Sequence, residues 1–118
     1  EMLALAQVDP PGAKFDYNNN ATLLVARALE AASGRSYARL VSDRLWKPLG
    51  LADAAIYVDR PGGRAMASCC LFSRPRDWLA VGRLIAGRGE VDGRRIVPAA
   101  WIDAMLTPSP ANKGYGLQ

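Results

Sequence analysis

The sequence predicts a mainly helical chain with a few short strands. Apolar residues recur at helical spacing directly after a polar loop at residues 17–20. Helix-stopping residues, among them Gly34, Pro48 and Pro108, divide the helical segments into short lengths. Runs rich in β-branched residues are brief and bounded by glycine and proline. The 118 residues make one domain at most, and half of them are apolar, which is ordinary globular composition.

The most regular helix is predicted over residues 21–32. Its apolar residues follow the i, i+3, i+4, i+7 spacing, with Asn20 as the N-cap and Gly34 as the stop. Ser36 then caps a second helix, which has to end before Pro48. The predicted buried stripe of this second helix is Tyr37, Leu40, Val41 and Leu45.

A strand and a third helix are predicted next. Residues 54–58 favour a strand, and the Pro-Gly-Gly sequence at 61–63 favours a turn. Ser73 is the predicted N-cap of the third helix, with Pro75 in its first turn and Asp77 near the positive end of the helix dipole. The predicted apolar face of this helix is Trp78, Val81, Gly82 and Ile85.

The last third of the chain predicts a hairpin, a fourth helix and an irregular tail. The Asp92-Gly93 pair favours a tight turn, with residues 94–97 as the second arm. A helix then begins near Pro98 and ends at Thr107-Pro108. Trp101 in this helix, like Trp78 before it, is expected to be a core anchor. Residues 115–118 are predicted to begin a strand.

Composition narrows the possible partners and cofactors. Fifteen basic residues against eleven acidic ones give a net charge of +4, but the basic residues are dispersed, so a nucleic-acid partner is not expected. No apolar stretch reaches the roughly 20 residues of a membrane span. There is no histidine, which excludes a Ser-His-Asp or Cys-His pair within the chain. We expect no metal and no organic cofactor.

The two cysteines, Cys69 and Cys70, are adjacent. A disulfide between neighbours requires an unusual ring geometry, so we expect two small buried residues that pack under a loop. Their role and their redox state are left open.

Tyr17 and Asn19 are the candidate site residues. In an extended loop, alternation places the side chains of residues 17 and 19 on the same side. A phenol can carry a proton and an amide can orient a carbonyl or a lysine. A free phenol has a pKa near 10, so Tyr17 would need positive charge nearby to act as a base.

The order of the motifs resembles that of a known enzyme family. A Pro-Gly turn and an aromatic introduce the Tyr-x-Asn loop at 17–19, and a helix follows. Downstream come Gly-x-Ser-Tyr at 34–37, Pro-Leu-Gly at 48–50 and Arg-Asp-Trp at 76–78, and then Asp-Gly at 92–93 and Gly-Tyr-Gly at 114–116. This series is similar to the class C β-lactamase and penicillin-binding-protein family of serine hydrolases. With Cys69-Cys70 where many relatives have Gly-Gly, it most resembles the 6-aminohexanoate-dimer hydrolase-like and esterase-like members.

The resemblance implies a fold and an activity. The fold would be the α/β transpeptidase-like fold, and residues 1–118 would be an incomplete part of it, chiefly its helical lobe. The family's serine attacks an amide or ester carbonyl of a small molecule and forms an acyl-enzyme, without a cofactor. By this similarity Tyr17 would be catalytic, moving the serine proton to the leaving group, and Asn19 would bind substrate or the lysine.

The departures from the family pattern concern the nucleophile and the last motif. No Ser-x-x-Lys occurs, because the residues three after the six serines are Ser36, Arg39, Leu45, Leu71, Arg76 and Asn112. The final Lys-or-His, small residue, Gly motif is also missing, since Lys113 is followed directly by Gly114. A start at Glu1-Met2 inside an apolar segment suggests a truncated parent protein. The chain alone is expected to be inactive.

Two other functions remain compatible with the sequence. One is a non-catalytic module of the same fold that binds peptides or cell-wall fragments. The other is a helix-turn-helix in residues 23–45 with Arg35 and Arg39 facing outward, although Asp43 on the same face argues against DNA binding. A parent with a signal peptide would be periplasmic or secreted, and one without it cytoplasmic.

Overall fold

The computed structural model describes Ala6 and residues 9–116. Within those residues the fold is mainly helical, with four α-helices and two separate two-stranded antiparallel sheets. The elements are, in chain order, α1 (Asn19–Ser33), α2 (Tyr37–Val41), a π-turn (Ser42–Trp46), β1 (Ala55–Ile56), β2 (Leu71–Phe72), α3 (Pro75–Ala86), β3 (Glu90–Val91), β4 (Arg94–Arg95) and α4 (Ala99–Leu106). Part of the strand predicted over 115–118 lies outside the described residues.

Helix α1 confirms the first predicted helix and corrects its start. The N-cap is Asn18 rather than Asn20: Asn18 has extended backbone, with φ −138° and ψ 112°, and its side chain accepts a hydrogen bond from the Asn20 N–H. Asn20 is already helical and cannot serve as the cap. Gly34 is the C-cap in the left-handed conformation at φ 67°, as predicted.

The second helix departs from regular α-helical pitch. Ser36 is its N-cap, as predicted, and its side chain accepts from the Arg39 N–H at 3.3 Å. After Val41 the chain widens into the π-turn, in which the Lys47 N–H bonds to the Ser42 carbonyl at 2.9 Å. The predicted stripe is only half-buried. The buried side chain is Trp46, which is 6% exposed.

Strands β1 and β4 lie within the predicted strand segments but are shorter than predicted, and β2 was not predicted. In the first, β1 pairs with β2 in the register Ala55↔Phe72 and Ile56↔Leu71. In the second, β3 pairs with β4, and the connecting Asp92 and Gly93 both have positive φ, at 49° and 74°. Two positive φ values are the requirement of a type I′ turn, so the predicted hairpin is confirmed.

Helix α3 begins at Pro75, and Ser73 is not its N-cap. Ser73 instead donates its hydroxyl to the Asp77 carboxylate at 3.1 Å, and Arg74 takes the cap position without a side-chain cap bond. The predicted apolar face was wrong in part. Asp77 and Leu84 are the buried residues of this helix, whereas Trp78 is 44% exposed.

Helix α4 begins directly after Pro98, as predicted, and buries Ile102. Trp101 is 58% exposed, so its assignment as a core anchor was wrong. Trp78 makes an edge contact with Trp46, with ring centroids 5.7 Å apart. This contact joins the π-turn to helix α3, although Trp78 itself stays partly exposed.

The core of the described chain is small. Its buried apolar residues are Ala26, Trp46, Ala65, Leu84 and Ile102. Many large apolar side chains are instead exposed: Tyr17, Val25, Leu29, Tyr57, Val58, Phe72, Trp78, Leu79, Trp101 and Leu106. Exposed apolar surface of this extent is typical of an interaction face.

The cysteine pair corrects a further prediction. Cys69 and Cys70 are exposed rather than buried, and they are joined to each other by a disulfide. Cys70 has a positive φ of 70°, and its carbonyl accepts from the Tyr57 N–H at 3.0 Å. The expectation failed because it assumed a small side chain that needed shelter, whereas this turn presents both sulfurs at the surface.

Candidate functional site

Tyr17 lies in the irregular segment directly before helix α1. Its side chain is 69% exposed, and no hydrogen bond joins its hydroxyl to another of the described residues. Asn18 fixes where this segment ends, because capping places the first helical residue at Asn19. The phenol is therefore at the surface, beside a helix start, and free to meet a group from outside the described chain.

Asn19 is the first residue of α1 and is also exposed. The alternation that predicts a shared side for residues 17 and 19 requires extended backbone at the residue between them. Asn18 has that backbone, with φ −138° and ψ 112°. Asn19 thus presents an exposed amide, with one acceptor and two donors, two residues along the chain from Tyr17, and the shared side for the two side chains stays a prediction.

Tyr115 is a neighbour of Tyr17 that sequence reasoning missed. Its ring meets the Tyr17 ring edge-on, with centroids 6.1 Å apart and planes at 73°. Its ring also lies against Phe15, with centroids 4.9 Å apart. The Gly-Tyr-Gly sequence was a visible landmark, but nothing in it indicates which distant loop the tyrosine meets. We call these three residues the aromatic cluster.

The chain that carries Tyr115 is held in place by a compact turn. The Tyr115 N–H bonds to the Asn112 carbonyl at 3.1 Å, and the Gly114 N–H bonds to the Asn112 side chain at 3.0 Å. Gly116 packs so closely on the end of α4 that a Cβ there would lie 1.9 Å from the Met105 carbonyl oxygen. Tyr115 is therefore positioned from both sides by backbone contacts.

Glu30 ties helix α1 to its surroundings. Its carboxylate accepts from the Tyr37 backbone N–H at 2.8 Å, pairs with Arg27 at 2.7 Å and lies 3.6 Å from Arg64. The Tyr37 N–H, and after it Arg27, hold the pKa of Glu30 below its ordinary value. Arg27 also reaches the Ala65 carbonyl at 3.5 Å. The helix that starts at the candidate site is thus braced at its far end.

Asp77 makes a similar brace at the start of α3. It is 3% exposed, and its carboxylate accepts two hydrogen bonds from Arg74, at 2.9 and 3.1 Å, besides the one from Ser73. Arg74 is the main cause of the lowered pKa of Asp77, and the Ala52 backbone contributes as well. The carbonyl of Ala52 accepts from the Trp46 indole at 2.7 Å, so this loop residue links the π-turn to α3.

The arginines of the helix-turn-helix hypothesis are engaged with an acid. Arg35 and Arg39 each lie 3.0 Å from Asp43, and Lys47 lies 2.8 Å from the same carboxylate. Lys47, then Arg39, lower the pKa of Asp43. Among the described residues, no three potential metal ligands cluster. No helix in the same part of the chain is long and apolar enough to cross a membrane.

The described site offers a phenol, an amide and two further aromatic rings. A phenol can carry a proton and an amide can form hydrogen bonds. The sequence holds no Ser-x-x-Lys, so the serine of that motif is not among these residues.

Comparison with known proteins identifies the family to which this fold and site belong. The family model for beta-lactamase matches residues 1–116, and the chain belongs to the beta-lactamase family. Its fold is accordingly a part of the α/β beta-lactamase fold, mainly the helical part, as predicted.

Particular relatives point within that family to one group of hydrolases. The 6-aminohexanoate-dimer hydrolase of Paenarthrobacter ureafaciens is 30% identical over 107 residues, which are 90% of this chain and 27% of that protein. A Bacillus anthracis structure, provisionally described as a 6-aminohexanoate-dimer hydrolase, has a TM-score of 0.84 at 27% identity, covering 98% of this chain and 32% of its own.

A third comparison supports the fold alone. A Bacteroides dorei DSM 17855 structure, provisionally described as a beta-lactamase, has a TM-score of 0.75 at 24% identity, covering 87% of this chain and 32% of its own. The chain spans about a third or less of the length of each of these three relatives. The family and the similarity to these hydrolases confirm the predicted resemblance.

Proposed function

We propose that this chain supplies the Tyr-x-Asn part of a serine hydrolase active site in a longer parent protein. The parent cleaves an amide or ester bond of a small molecule through an acyl-enzyme, and the chain alone is inactive. The observation that carries this proposal is the position of Tyr17, exposed directly before helix α1 in a chain of the beta-lactamase family. The relationship to 6-aminohexanoate-dimer hydrolase favours an amidase or esterase over an antibiotic-degrading enzyme.

Tyr17 carries protons in the proposed reaction. The serine oxygen of the parent attacks the substrate carbonyl, and Tyr17 accepts the serine proton and then delivers it to the departing amine or alkoxide. Water hydrolyses the acyl-enzyme by the reverse route. A lysine beside the serine would supply the positive charge that makes a phenol an effective base.

Asn19 orients in this scheme rather than reacts. Its amide hydrogen-bonds the substrate or the lysine, so that the carbonyl carbon lies within reach of the serine. This assignment rests on its place in the Tyr-x-Asn motif and on its exposure at the first position of α1. Residues 1–118 form, on this proposal, one part of a single catalytic domain.

The test uses the full-length parent. The variant Tyr17→Phe keeps the ring and its contact with Tyr115 but removes the proton carrier, so kcat with p-nitrophenyl acetate should fall by about 10²- to 10⁴-fold. The matched control is Tyr57→Phe, another exposed tyrosine, which should leave kcat unchanged.

Acyl-enzyme trapping completes the test. A fluorophosphonate probe should label the parent at its serine, and Tyr17→Phe should slow the labelling as it slows turnover. Unchanged turnover in Tyr17→Phe would remove the proposed mechanism. A parent that lacks Ser-x-x-Lys and resists labelling would instead be a non-catalytic binding module of the same fold.

A further inference from the structure

The aromatic cluster brings together the two ends of the described chain. Phe15 and Tyr115 are half-buried, whereas Tyr17 is mostly exposed, so the cluster is open to solvent on the Tyr17 side. Two of its three rings have no part in the proposed proton transfer. The Tyr115 ring contacts the Tyr17 ring directly, and the Phe15 ring contacts Tyr115.

Backbone contacts hold the aromatic cluster in position. Tyr115 is fixed by the turn at 109–115 and by the close approach of Gly116 to Met105. Its ring touches both Phe15 and Tyr17. Aromatic pairs at these distances and angles are favourable beyond the area they bury.

We propose that Tyr115, with Phe15, forms the apolar side of a subsite for the leaving group of the substrate. This inference rests on the proposed function, in which Tyr17 delivers its proton to the leaving group. Because the Tyr17 hydroxyl has to reach the leaving atom, the group attached to that atom lies close to the Tyr17 side chain. The ring beside Tyr17 is that of Tyr115. The preferred leaving groups are amines or alcohols whose apolar part can pack against these rings.

Partition of the acyl-enzyme between water and alcohols measures this subsite directly. The attack of an alcohol on the acetyl-enzyme is the reverse of the step in which an alcohol leaving group departs, so the alcohol occupies the same subsite. Its oxygen bonds to the acyl carbon, its proton passes to Tyr17 and on to the serine oxygen, and the alkyl acetate is released. The ratio of alkyl acetate to acetate does not depend on how much of the enzyme is folded, so a merely structural defect leaves it unchanged.

The full-length parent is given p-nitrophenyl acetate with ethanol, butanol or hexanol at equal concentrations. The ratio of alkyl acetate to acetate should rise about two- to fourfold for each added methylene, the range expected for partial to full burial of that group. In Tyr115→Ala the rise should be lost, while Tyr115→Phe should keep it. Tyr57→Ala, which removes an exposed aromatic outside the cluster, is the control that should also keep it.

Other outcomes overturn the inference. A flat ratio in the unmodified parent, or a rise that survives in Tyr115→Ala, shows that Tyr115 does not line the leaving-group subsite. If Tyr115→Ala lowers turnover equally with every alcohol but leaves the ratio of alkyl acetate to acetate unchanged, Tyr115 contributes to packing alone. These results differ from failure of the proposed function, in which Tyr17→Phe leaves turnover with p-nitrophenyl acetate intact.

Discussion

The side-chain oxygen of Asn18 accepts a hydrogen bond from the backbone N–H of Asn20, 2.9 Å away. This bond sets the first turn of α1 and, with it, the distance along the chain between the helix and Tyr17. Three consecutive asparagines at 18–20 thus have different positions: one caps the helix, one opens it and one is already inside it.

Replacing Asn18 with Ala removes the cap and should lower the free energy of unfolding by about 1 kcal/mol. Asn20→Ala is the matched control. Its side chain makes no cap bond, and its change should stay within about 0.5 kcal/mol. Chemical unfolding of the parent measures both variants. Equal losses in the two variants would contradict the cap assignment.

Gly116 and Gly114 form a second matched pair. A Cβ at Gly116 would lie 1.9 Å from the Met105 carbonyl oxygen, whereas one at Gly114 would meet only the Asn112 side chain at 3.5 Å. Gly116→Ala should therefore cost about 1–3 kcal/mol of unfolding free energy, because backbone has to shift. Gly114→Ala should stay within about 0.5 kcal/mol. Unfolding midpoints of the two variants decide this, and a tolerated Gly116→Ala would mean that Tyr115 is not anchored as described.

The stability of the α1–α2 connection should depend on pH through Glu30. Its pKa is lowered in the folded chain, so its contribution is present above its ordinary value of 4.5 and is lost as pH falls through the folded pKa. At pH 7, Glu30→Gln should reduce the free energy of unfolding by about 1–2 kcal/mol, because charged hydrogen-bond partners are lost.

The same difference between Glu30→Gln and the unmodified protein should shrink as pH falls from 4.5 through the lowered pKa of Glu30, because the carboxyl then becomes neutral like the glutamine amide. Denaturant unfolding at pH 7, 5 and 3 gives the three differences. Glu90→Gln is the control, because Glu90 is in an exposed ion pair with Arg95 that should contribute less than about 1 kcal/mol at any pH. A Glu30 difference that is constant with pH would exclude a role for the carboxylate charge.

The exposed apolar residues predict how the 118-residue chain behaves when produced alone. Leu79 and Phe72 are both more than half exposed, and large apolar surface promotes association. The isolated chain should bind a hydrophobic dye and sediment as more than a monomer at micromolar concentration. Leu79→Lys should reduce both signals.

Ala86→Lys, at another exposed position of α3, adds the same charge without removing a large apolar side chain. It separates the effect of the leucine from that of net charge, and should leave association close to that of the unmodified chain. Equal dye binding in both variants would mean that Leu79 does not belong to the associating surface.

Local rules of sequence predicted the ends of most elements. Gly34, Ser36, Pro98 and the Asp-Gly turn at 92–93 are each decided by their own conformational preferences, and all four predictions are confirmed. The Ser73 prediction failed because the hydroxyl had a nearby alternative partner, Asp77, which is buried and charged. A cap rule cannot weigh a competitor whose burial depends on tertiary packing.

The candidate site was also predicted only in part from the sequence. Tyr17 and Asn19 were selected from their motif, and their roles remain proposals. Tyr115 was missed because its contact with Tyr17 joins opposite ends of the described chain, and no periodicity or spacing encodes such a contact. Trp78 and Trp101 were expected inside because apolar residues are usually buried, a rule that presumes all of the covering structure to be present.

The π-turn at 42–46 predicts a difference of one residue in length among related sequences. Because a π-turn holds one more residue than the α-helical turn it replaces, deleting one residue inside it would restore α-helical pitch and leave the later side chains close to their present directions. Trp46 would then still face the Ala52 carbonyl that its indole now reaches. Family members with one residue fewer at this place should therefore have a regular α-helical turn here and keep their large aromatic on the same side of the helix.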